Sequence, residues 1–206
     1  MAAVALGRDF EFRLSRQDAW PAAGFPPGCL TEIYGPASSG RTGLMLAAMA
    51  EATRREEACA LVDAAGAFHP ASAAAAGVAL ERLLWVRCGG NAEHALKAAD
   101  LLVQGGGFGL VVMDLADTPV ETVRRISMTS WFRLRRAVEH TPTVLLVLEQ
   151  QPHARTCASL TLEMRREQVA WSGAPGCSQL LRGIRVHVDR RKPAPPAAIS
   201  FEARWW

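Results

Sequence analysis

A short run of glycines and hydroxyl residues is the part of this sequence whose residue types and spacing could do chemistry. In the stretch GPASSGRT these residues are Gly35, Ser38, Ser39, Gly40, Arg41 and Thr42. The spacing fits the template GxxxxGK[ST], whose glycines let backbone N–H groups converge on phosphate oxygens and whose hydroxyl holds magnesium. Arg41 stands where the template has lysine, and a long planar guanidinium does not simply replace a compact ammonium in a tight loop. The pattern predicts a phosphate-binding loop with altered chemistry, and the alternative is a tight glycine turn without a ligand.

The segments on either side of this loop have the order that a phosphate site requires. Leu30, Ile33 and Tyr34 predict a short buried strand before the loop, and a helix is predicted from Gly40 to about Glu57. A strand that leads through a glycine-rich loop into a helix aims the helix N-terminus, with its free N–H groups, at a bound anion.

Short apolar runs predict further buried strands with helices between them. The strands are expected at Cys59 to Asp63, Leu83 to Arg87, Phe108 to Asp114 and Val144 to Leu148, and the helices over 71–76 and 91–104. Alternating buried strands and helices indicate a parallel sheet that is covered on both faces.

One long helix is predicted from Pro119 to about His140. Its buried stripe is expected to contain Val120, Val123, Ser127, Trp131, Leu134 and Val138. The arginines fall into pairs that are eleven residues, or about three helical turns, apart, and they predict a basic outer face made of Arg124, Arg125, Arg135 and Arg136. This face is a candidate contact for a partner or for DNA phosphates, and the alternative is a solvated helix surface.

After Gln151 the apolar period changes from helical spacing to two. Three alternating runs, at Leu160 to Arg165, Ile184 to Asp189 and Ile199 to Trp205, predict half-exposed antiparallel strands. The expected fold is therefore α/β, with a mostly parallel central sheet flanked by helices and extended by C-terminal antiparallel strands. Residues 1–28 are expected to form an N-terminal strand and a Pro/Gly-rich loop, and residues 29–206 a single core domain.

Composition narrows the class of protein. Half of the 206 residues are hydrophobic, which excludes a disordered protein, and no run of apolar residues is long enough to predict a membrane span. The five cysteines are widely spaced without a metal-ligand pattern, so they predict reduced, partly buried thiols in a cytoplasmic protein. The net charge of +3 is uneven, because residues 1–118 carry 9 basic and 13 acidic side chains and residues 119–206 carry 14 and 7. A basic second part suits a polyanion or an acidic partner.

The order of these segments resembles the RecA family of recombinases over nearly the whole chain. GFPPGCLTEIYGPASSGRT is similar to the family's Walker A strand and loop, and VVMD, which ends at Asp114, is similar to its Walker B strand. ASLTLEMRR and GIRVHVDRRK, followed by Ala194 and Pro195, are similar to its C-terminal strands. The resemblance implies a RecA-like P-loop core.

The resemblance also shows where this sequence departs from the family. Ala65 falls at the position of the catalytic glutamate that orients the attacking water, and Ser72 falls near the aromatic residue that stacks on adenine. Asp114 matches the aspartate that holds magnesium, and Gln150 matches the glutamine that senses the γ-phosphate. Both DNA-binding loops are short, and the amino-terminal helix that docks on a neighbouring protomer is expected to be missing. We therefore expect no catalytic residues, no metal site and no required cofactor, with weak ATP and magnesium binding still compatible with the loop.

One subgroup with such a reduced RecA core is the ImuA-type accessory family of the bacterial translesion mutagenesis cassette. The resemblance implies a non-catalytic adaptor in the SOS response that contacts RecA, an ImuB-type inactive Y-family polymerase and an error-prone replicative-type polymerase. The basic face and the terminal Trp205 and Trp206 are the expected contacts, with weak, sequence-blind DNA binding at most and no membrane association. The first alternative is a SulA-like division inhibitor that binds FtsZ, and the second alternative is a working RecA-type ATPase.

Overall fold

The computed structural model describes residues 3–6, 10–14, 25–173, 180–193 and 197–205. For residues 3–6, 10–14, 180–182 and most of 197–205 it describes the backbone alone. Cys177 and Trp206 lie outside the described residues.

Ten strands form one mixed sheet. In chain order they are β1 Ala3–Leu6, β2 Phe10–Leu14, β3 Leu30–Tyr34, β4 Cys59–Asp63, β5 Leu83–Arg87, β6 Leu110–Asp114, β7 Val144–Glu149, β8 Leu160–Ser172, β9 Leu180–Lys192 and β10 Ala197–Trp205. Their order across the sheet is β1-β2-β10-β9-β8-β3-β7-β6-β4-β5. The strands from β8 to β5 in this order pair in parallel, and β1, β2, β10, β9 and β8 pair antiparallel. The predicted α/β class with antiparallel C-terminal strands is confirmed.

Five α-helices connect the parallel strands and cover the sheet. They are α1 Arg41–Arg54, α2 Pro70–Ala75, α3 Ala92–Gly105, α4 Val120–Val123 and α5 Met128–Val138. Apolar side chains point to both sides of the strands and form two cores. On one side Leu146 and Leu148 of β7 belong to the same cluster as Met45 and Met49 of α1. On the other side Leu145 and Val147 belong to the cluster that contains the fully buried Trp131 of α5.

The predicted long helix from Pro119 to His140 is wrong, because the chain breaks between α4 and α5. Ser127 is the N-cap of α5, and its hydroxyl oxygen accepts a hydrogen bond from Ser130 N at 3.2 Å. Serine competes in this way with the helical backbone hydrogen bonds, which favours a new helix start over a continuous helix. Ser127 is consequently exposed instead of lying in the buried stripe. The spacing argument that put the four arginines on one helix face loses its basis, since two of them follow α4 and two lie in α5.

Strand pairing adds two features that the alternation pattern did not predict. β8 is antiparallel to β9 as expected, but its first residues also pair in parallel with β3. β1 was not predicted; it pairs with β2, and β2 pairs with β10. The amino-terminal strands therefore extend the antiparallel edge of the sheet. The division of the chain at residue 28 stays a prediction.

Four of the five cysteines lie in the described part of the chain. Cys29, Cys59, Cys88 and Cys157 are free, and all except the partly exposed Cys29 are buried. Burial raises the pKa of the Cys59 thiol to about 12, so this cysteine is held as an inert, protonated side chain. None of the helices in the described ranges has the length and apolar character needed to cross a membrane.

Candidate functional site

The predicted phosphate loop lies where the carboxyl end of β3 meets α1. Gly40 is the N-cap of α1 with a φ of 93°, and Ser38 has a φ of 58°, so the loop turns through the left-handed region twice. Gly35 N donates to the carbonyl oxygen of Glu149 at 3.3 Å, and Ser39 N donates to that of Pro36 at 3.2 Å. The strand, loop and helix of a phosphate cradle are therefore present.

The antiparallel strands pack closely against this loop. A Cβ atom on Gly35 would overlap the carbonyl oxygen of Met164 in β8 and would lie 2.9 Å from Ser39 Oγ. A Cβ atom on Gly40 would lie 2.7 Å from a methyl group of Val186 in β9. Ser39 is 1% exposed, and its hydroxyl has no partner among the described residues. The two glycines are thus required by the packing of the loop, whether or not it binds an anion.

Arg41 occupies the lysine position of the loop with a buried side chain. Only 6% of the residue is exposed, and its Nη1 donates to the main-chain carbonyl oxygen of Glu149. Burial lowers the pKa of the guanidinium, while the nearby carboxylates of Asp114 and Asp117 act to raise it. The sequence led us to expect that Arg41 turns outward or pairs with a carboxylate such as Asp114. Instead, its hydrogen bond in the described structure goes to backbone at the end of β7, which ties the cation to the protein.

Two aspartates end neighbouring strands beside the loop, and they differ in function. Asp63 of β4 is the register partner of Asp114 of β6. Asp63 accepts hydrogen bonds from Gly66 N, Ala67 N, Phe68 N and Trp85 Nε1, at 2.7 to 3.2 Å. It therefore acts as a structural cap that shapes the loop after β4.

Asp114 has capacity left for a ligand. Its Oδ1 accepts from Ala116 N at 2.9 Å, and within the described residues its other oxygen has no hydrogen bond. Burial raises the pKa of this carboxyl to about 6, with Asp63 and Asp117 acting in the same direction. A carboxylate oxygen here and the exposed hydroxyl residue Thr42 are groups that suit magnesium next to a nucleotide. These two residues fit the cofactor that the fold implies, and Arg41 does not fit the lysine role.

The two positions that the resemblance assigns to ATP chemistry, Ala65 and Ser72, lie in the loop after β4 and in α2. Ala65 is exposed in the loop after β4 and offers no atom that can accept a proton. The Ser72 hydroxyl lies 2.9 Å from His69 Nδ1 at the start of α2. Phe68 and Trp85, which flank this region, pack edge to face with ring centroids 5.2 Å apart.

Gln150 is bonded to the segment that follows β6. Its Nε2 donates to the carbonyl oxygens of Ala116 at 3.0 Å and Thr118 at 3.4 Å. The side chain thus links the ends of β6 and β7. The connections at this edge are short, because residues 115–119 join β6 to α4 and residues 150–159 join β7 to β8.

A buried acidic pair beside the loop was missed by the sequence reasoning. Glu32 of β3 and Glu149 of β7 are both 0% exposed. Glu32 Oε1 accepts from His153 N and Ala154 N at 2.7 Å each, and Glu149 Oε2 lies 2.5 Å from His153 Nδ1. A glutamate inside an otherwise apolar strand, as in LTEIY and VLLVLE, is the signal that could have identified the pair. The pair fastens the segment after β7 to the sheet.

We predict that this cluster makes the fold more stable at pH 5 than at pH 8. Burial raises the pKa of Glu149 from 4.5 to about 7 and that of Asp114 from 3.8 to about 6. The folded chain therefore binds these protons more tightly than the unfolded chain, and the stabilisation is lost as pH rises through the folded pKa values. The raised pKa of His153, caused mainly by its hydrogen bond to Glu149, acts in the same direction. Urea unfolding should give a free energy of unfolding about 2 kcal/mol lower at pH 8 than at pH 5.

The matched variant for this prediction is Glu149→Gln, which removes the titrating group and keeps its shape. We expect its stability to change less between pH 5 and pH 8 than that of the unaltered chain. An equally steep pH dependence in Glu149→Gln would contradict the assignment to Glu149.

The arginines expected to contact partners are partly engaged within the chain. Arg124 pairs with Glu121 at 3.2 Å, and Arg135 pairs with Glu139 at 2.8 Å and donates to the Thr156 carbonyl. Arg125 and Arg136 are exposed and make no ion pair within the described ranges.

The structure places Trp205 in β10, where its backbone pairs with Phe10; the side chain is not described. No group of three or more His, Cys, Asp or Glu side chains that could hold a metal ion occurs in the part of the chain that is described.

A phosphate-type loop between a parallel strand and a helix, at the carboxyl edge of a covered sheet, is the architecture of P-loop nucleotide-binding cores. The model of the RecA N-terminal domain family matches residues 13–123, a little more than half of the 206 residues. The chain belongs to this family.

Relatives with curated descriptions support the same family. Protein RecA of Borrelia hermsii (strain HS1 / DAH) is 29% identical over 211 residues, which cover 87% of this chain and 58% of the relative. Protein RecA of Streptococcus pyogenes serotype M49 (strain NZ131) is 28% identical, with 87% of this chain and 56% of the relative covered. The chain therefore spans less than two thirds of the length of these relatives.

A solved structure shows the same fold. The crystal structure of the RadB recombinase superposes with a TM-score of 0.58 at 19% identity, covering 85% of this chain and 88% of that chain.

Proposed function

We propose that this chain is a RecA-like accessory protein that does not hydrolyse ATP and that acts in translesion mutagenesis. The observation that carries the proposal is the altered phosphate site within a RecA fold. Arg41 is buried and bonded to the Glu149 backbone, and Ala65 stands at the position of the catalytic base. Such a site keeps the backbone donors for an anion, whereas Ala65 cannot move a proton and the Arg41 guanidinium is bonded to the protein.

The short connections at the carboxyl edge support a role other than strand exchange. Residues 115–119 and 150–159 replace the two loops with which the family binds DNA. Gln150 binds the first of these connections through Ala116 and Thr118. An edge that is tied together in this way suits a rigid protein contact better than a flexible DNA clamp. A working RecA-type ATPase is therefore not the proposal.

The proposed partners follow from the resemblance to the ImuA-type family. They are RecA, an ImuB-type inactive Y-family polymerase and the associated error-prone replicative-type polymerase. Arg124, Arg125 and Arg136 are exposed and available to an acidic surface. Exposed charges of this kind speed and orient association more than they tighten it. Binding of DNA by the same arginines is expected to be weak and insensitive to sequence.

We predict that the purified chain forms a complex with RecA and with the ImuB-type polymerase and not with FtsZ. Arg124→Glu with Arg136→Glu reverses two exposed charges, and each exposed ion pair contributes up to about 1 kcal/mol. We therefore expect affinity for the partner that contacts this surface to fall about tenfold. Surface plasmon resonance with each purified partner measures the change.

The control for this experiment is Arg82→Glu with Arg166→Glu, which makes the same change of net charge at two exposed arginines outside α4, α5 and the two connections at the carboxyl edge. It should bind as the unaltered chain does. A firm complex with FtsZ and none with RecA or the polymerase would replace the proposal with a division inhibitor of the SulA type.

A further inference from the structure

A large groove lies between the start of α3 and the turn that joins α4 to α5. Its volume is about 910 Å³, near the upper end of the range of about 300–1,000 Å³ in which pockets enclose ligands. Gly89 and Gly90 form one lip, and a Cβ atom on either would contact nothing within 4 Å. The groove is remote in sequence from the phosphate loop, and none of its lining residues belongs to the candidate nucleotide site.

The charged residues that line the groove are mostly basic. Lys97 on α3, Arg125 in the turn and Arg133 on α5 all line it, and Glu93 is the acidic residue that faces them. Arg133 is fixed by an ion pair with Asp100 at 3.1 Å. Lys97 and Arg125 make no ion pair with any described residue, so their charges remain available to a ligand. Asp100 thus holds Arg133 in place, whereas Lys97 on α3 and Arg125 in the turn have no ion-pair partner among the described residues.

The polar groups between these cations are suited to hydrogen-bond acceptors. The hydroxyls of Ser127 and Ser130 lie 3.0 Å apart and line the groove. The side-chain oxygen of Asn91 is occupied by the N–H groups of Glu93 and His94, which leaves its amide N–H₂ as a donor at the lip. Leu96 and Ile126 add apolar surface to the same groove. A ligand with carboxylates on short apolar stems matches this combination.

From this geometry we infer that the groove binds an acidic peptide segment of a partner protein. Lys97 and Arg125 pair with its carboxylates, one of the two serine hydroxyls and Asn91 donate to further acceptors, and Leu96 with Ile126 contacts an apolar side chain. The inference does not depend on the proposed accessory function, because it concerns only the chemistry of the segment that this surface accepts.

A peptide suits the groove better than a nucleic acid does. Single-stranded DNA and RNA are held by cations that follow the backbone together with aromatic rings on which the bases stack. Among the described residues no aromatic side chain lines this groove, and Glu93 within it would repel a phosphate chain. An acidic peptide can place its carboxylates opposite Lys97 and Arg125 and an uncharged residue opposite Glu93.

The test selects short random peptides displayed on phage against the immobilised full chain and against Lys97→Glu with Arg125→Glu. We expect selection on the unaltered chain to enrich sequences rich in Asp and Glu with intervening Leu or Ile. A synthetic peptide of the enriched sequence should bind at least about tenfold more weakly to the double variant, and its affinity should fall as salt is raised. Arg155→Glu with Arg166→Glu, which lies outside the groove, should bind the peptide as the unaltered chain does.

Two outcomes would overturn the inference. One is a selection without acidic enrichment, and the other is an acidic peptide that binds the double variant as tightly as the unaltered chain. Competition with a single-stranded oligonucleotide distinguishes a peptide site from a nucleic-acid site. If the oligonucleotide binds the unaltered chain more tightly than the peptide and loses that affinity in Lys97→Glu with Arg125→Glu, the groove is a nucleic-acid site. Circular dichroism of both double variants confirms that they fold.

Discussion

Replacement of Gly35 by alanine is expected to destabilise the chain by about 3 kcal/mol, the upper part of the range for overpacking in a rigid environment. The new methyl group would overlap the carbonyl oxygen of Met164 and approach Ser39 Oγ to 2.9 Å. A backbone carbonyl in the middle of a sheet cannot rotate away as a side chain can. Either β8 must move away from β3 or the loop must change shape. Urea denaturation followed by circular dichroism measures the loss.

Gly43→Ala provides the control, because it adds the same methyl group one turn into α1. A Cβ atom on Gly43 would meet nothing within 4 Å. Alanine there should raise the free energy of unfolding by about 0.5–1 kcal/mol, since glycine inside a helix has an entropic cost. Equal stability of the two variants would show that β8 does not pack on the loop as described.

Replacement of Asp63 by alanine is expected to lower the free energy of unfolding by about 3 kcal/mol. The carboxylate accepts four hydrogen bonds, three from the backbone of residues 66–68 and one from Trp85 Nε1. Asp63 itself is only 1% exposed, so the groups it leaves behind near the strand end are not all reached by water. The loop that carries Ala65 should lose its fixed shape. Chemical denaturation measures the loss, and hydrogen exchange at residues 66–68 locates it.

Asp63→Asn keeps the size of the side chain and removes only part of its hydrogen bonding. Its side-chain oxygen can still accept from Gly66 N and Ala67 N, whereas its amide nitrogen would face the donors Phe68 N and Trp85 Nε1. We expect a loss of stability between that of the unaltered chain and that of Asp63→Ala. An asparagine variant as stable as the unaltered chain would contradict the assignment of four accepted hydrogen bonds.

The parallel part of the fold could be predicted from sequence because its strands are short, apolar and bounded by clear breaks. Cys59–Asp63 and Leu83–Arg87 have the predicted bounds, and Val144–Glu149 is one residue longer than predicted. Strands buried on both faces of a parallel sheet are continuous apolar runs, which distinguishes them from their surroundings without any knowledge of pairing.

The parts that sequence did not predict depend on one local helix cap and on contacts between distant residues. The break between α4 and α5 occurs because Ser127 caps a new helix, although the apolar spacing alone fits one helix. The parallel pairing of β8 with β3 is a choice of neighbour that alternation of apolar residues does not encode. Local patterns specify the faces of an element, and tertiary packing decides its partner.

The candidate site was predictable in position and not in detail. The motif located the loop from Gly35 to Thr42, but it could not show that Arg41 would bond to the backbone of Glu149. The pairing of Glu32 and Glu149 through His153 also needed the register of β3 and β7, which brings residues from three segments together.

We propose that this RecA-family chain retains a phosphate loop and does not hydrolyse ATP. The direct measurement is steady-state phosphate release from magnesium ATP, with and without single-stranded DNA, for the unaltered chain and for Thr42→Ala. Because Ala65 provides no base and Arg41 is bonded to the Glu149 carbonyl, we expect both proteins to give the rate of the buffer blank. A magnesium-dependent rate that is present in the unaltered chain and absent in Thr42→Ala would contradict the claim.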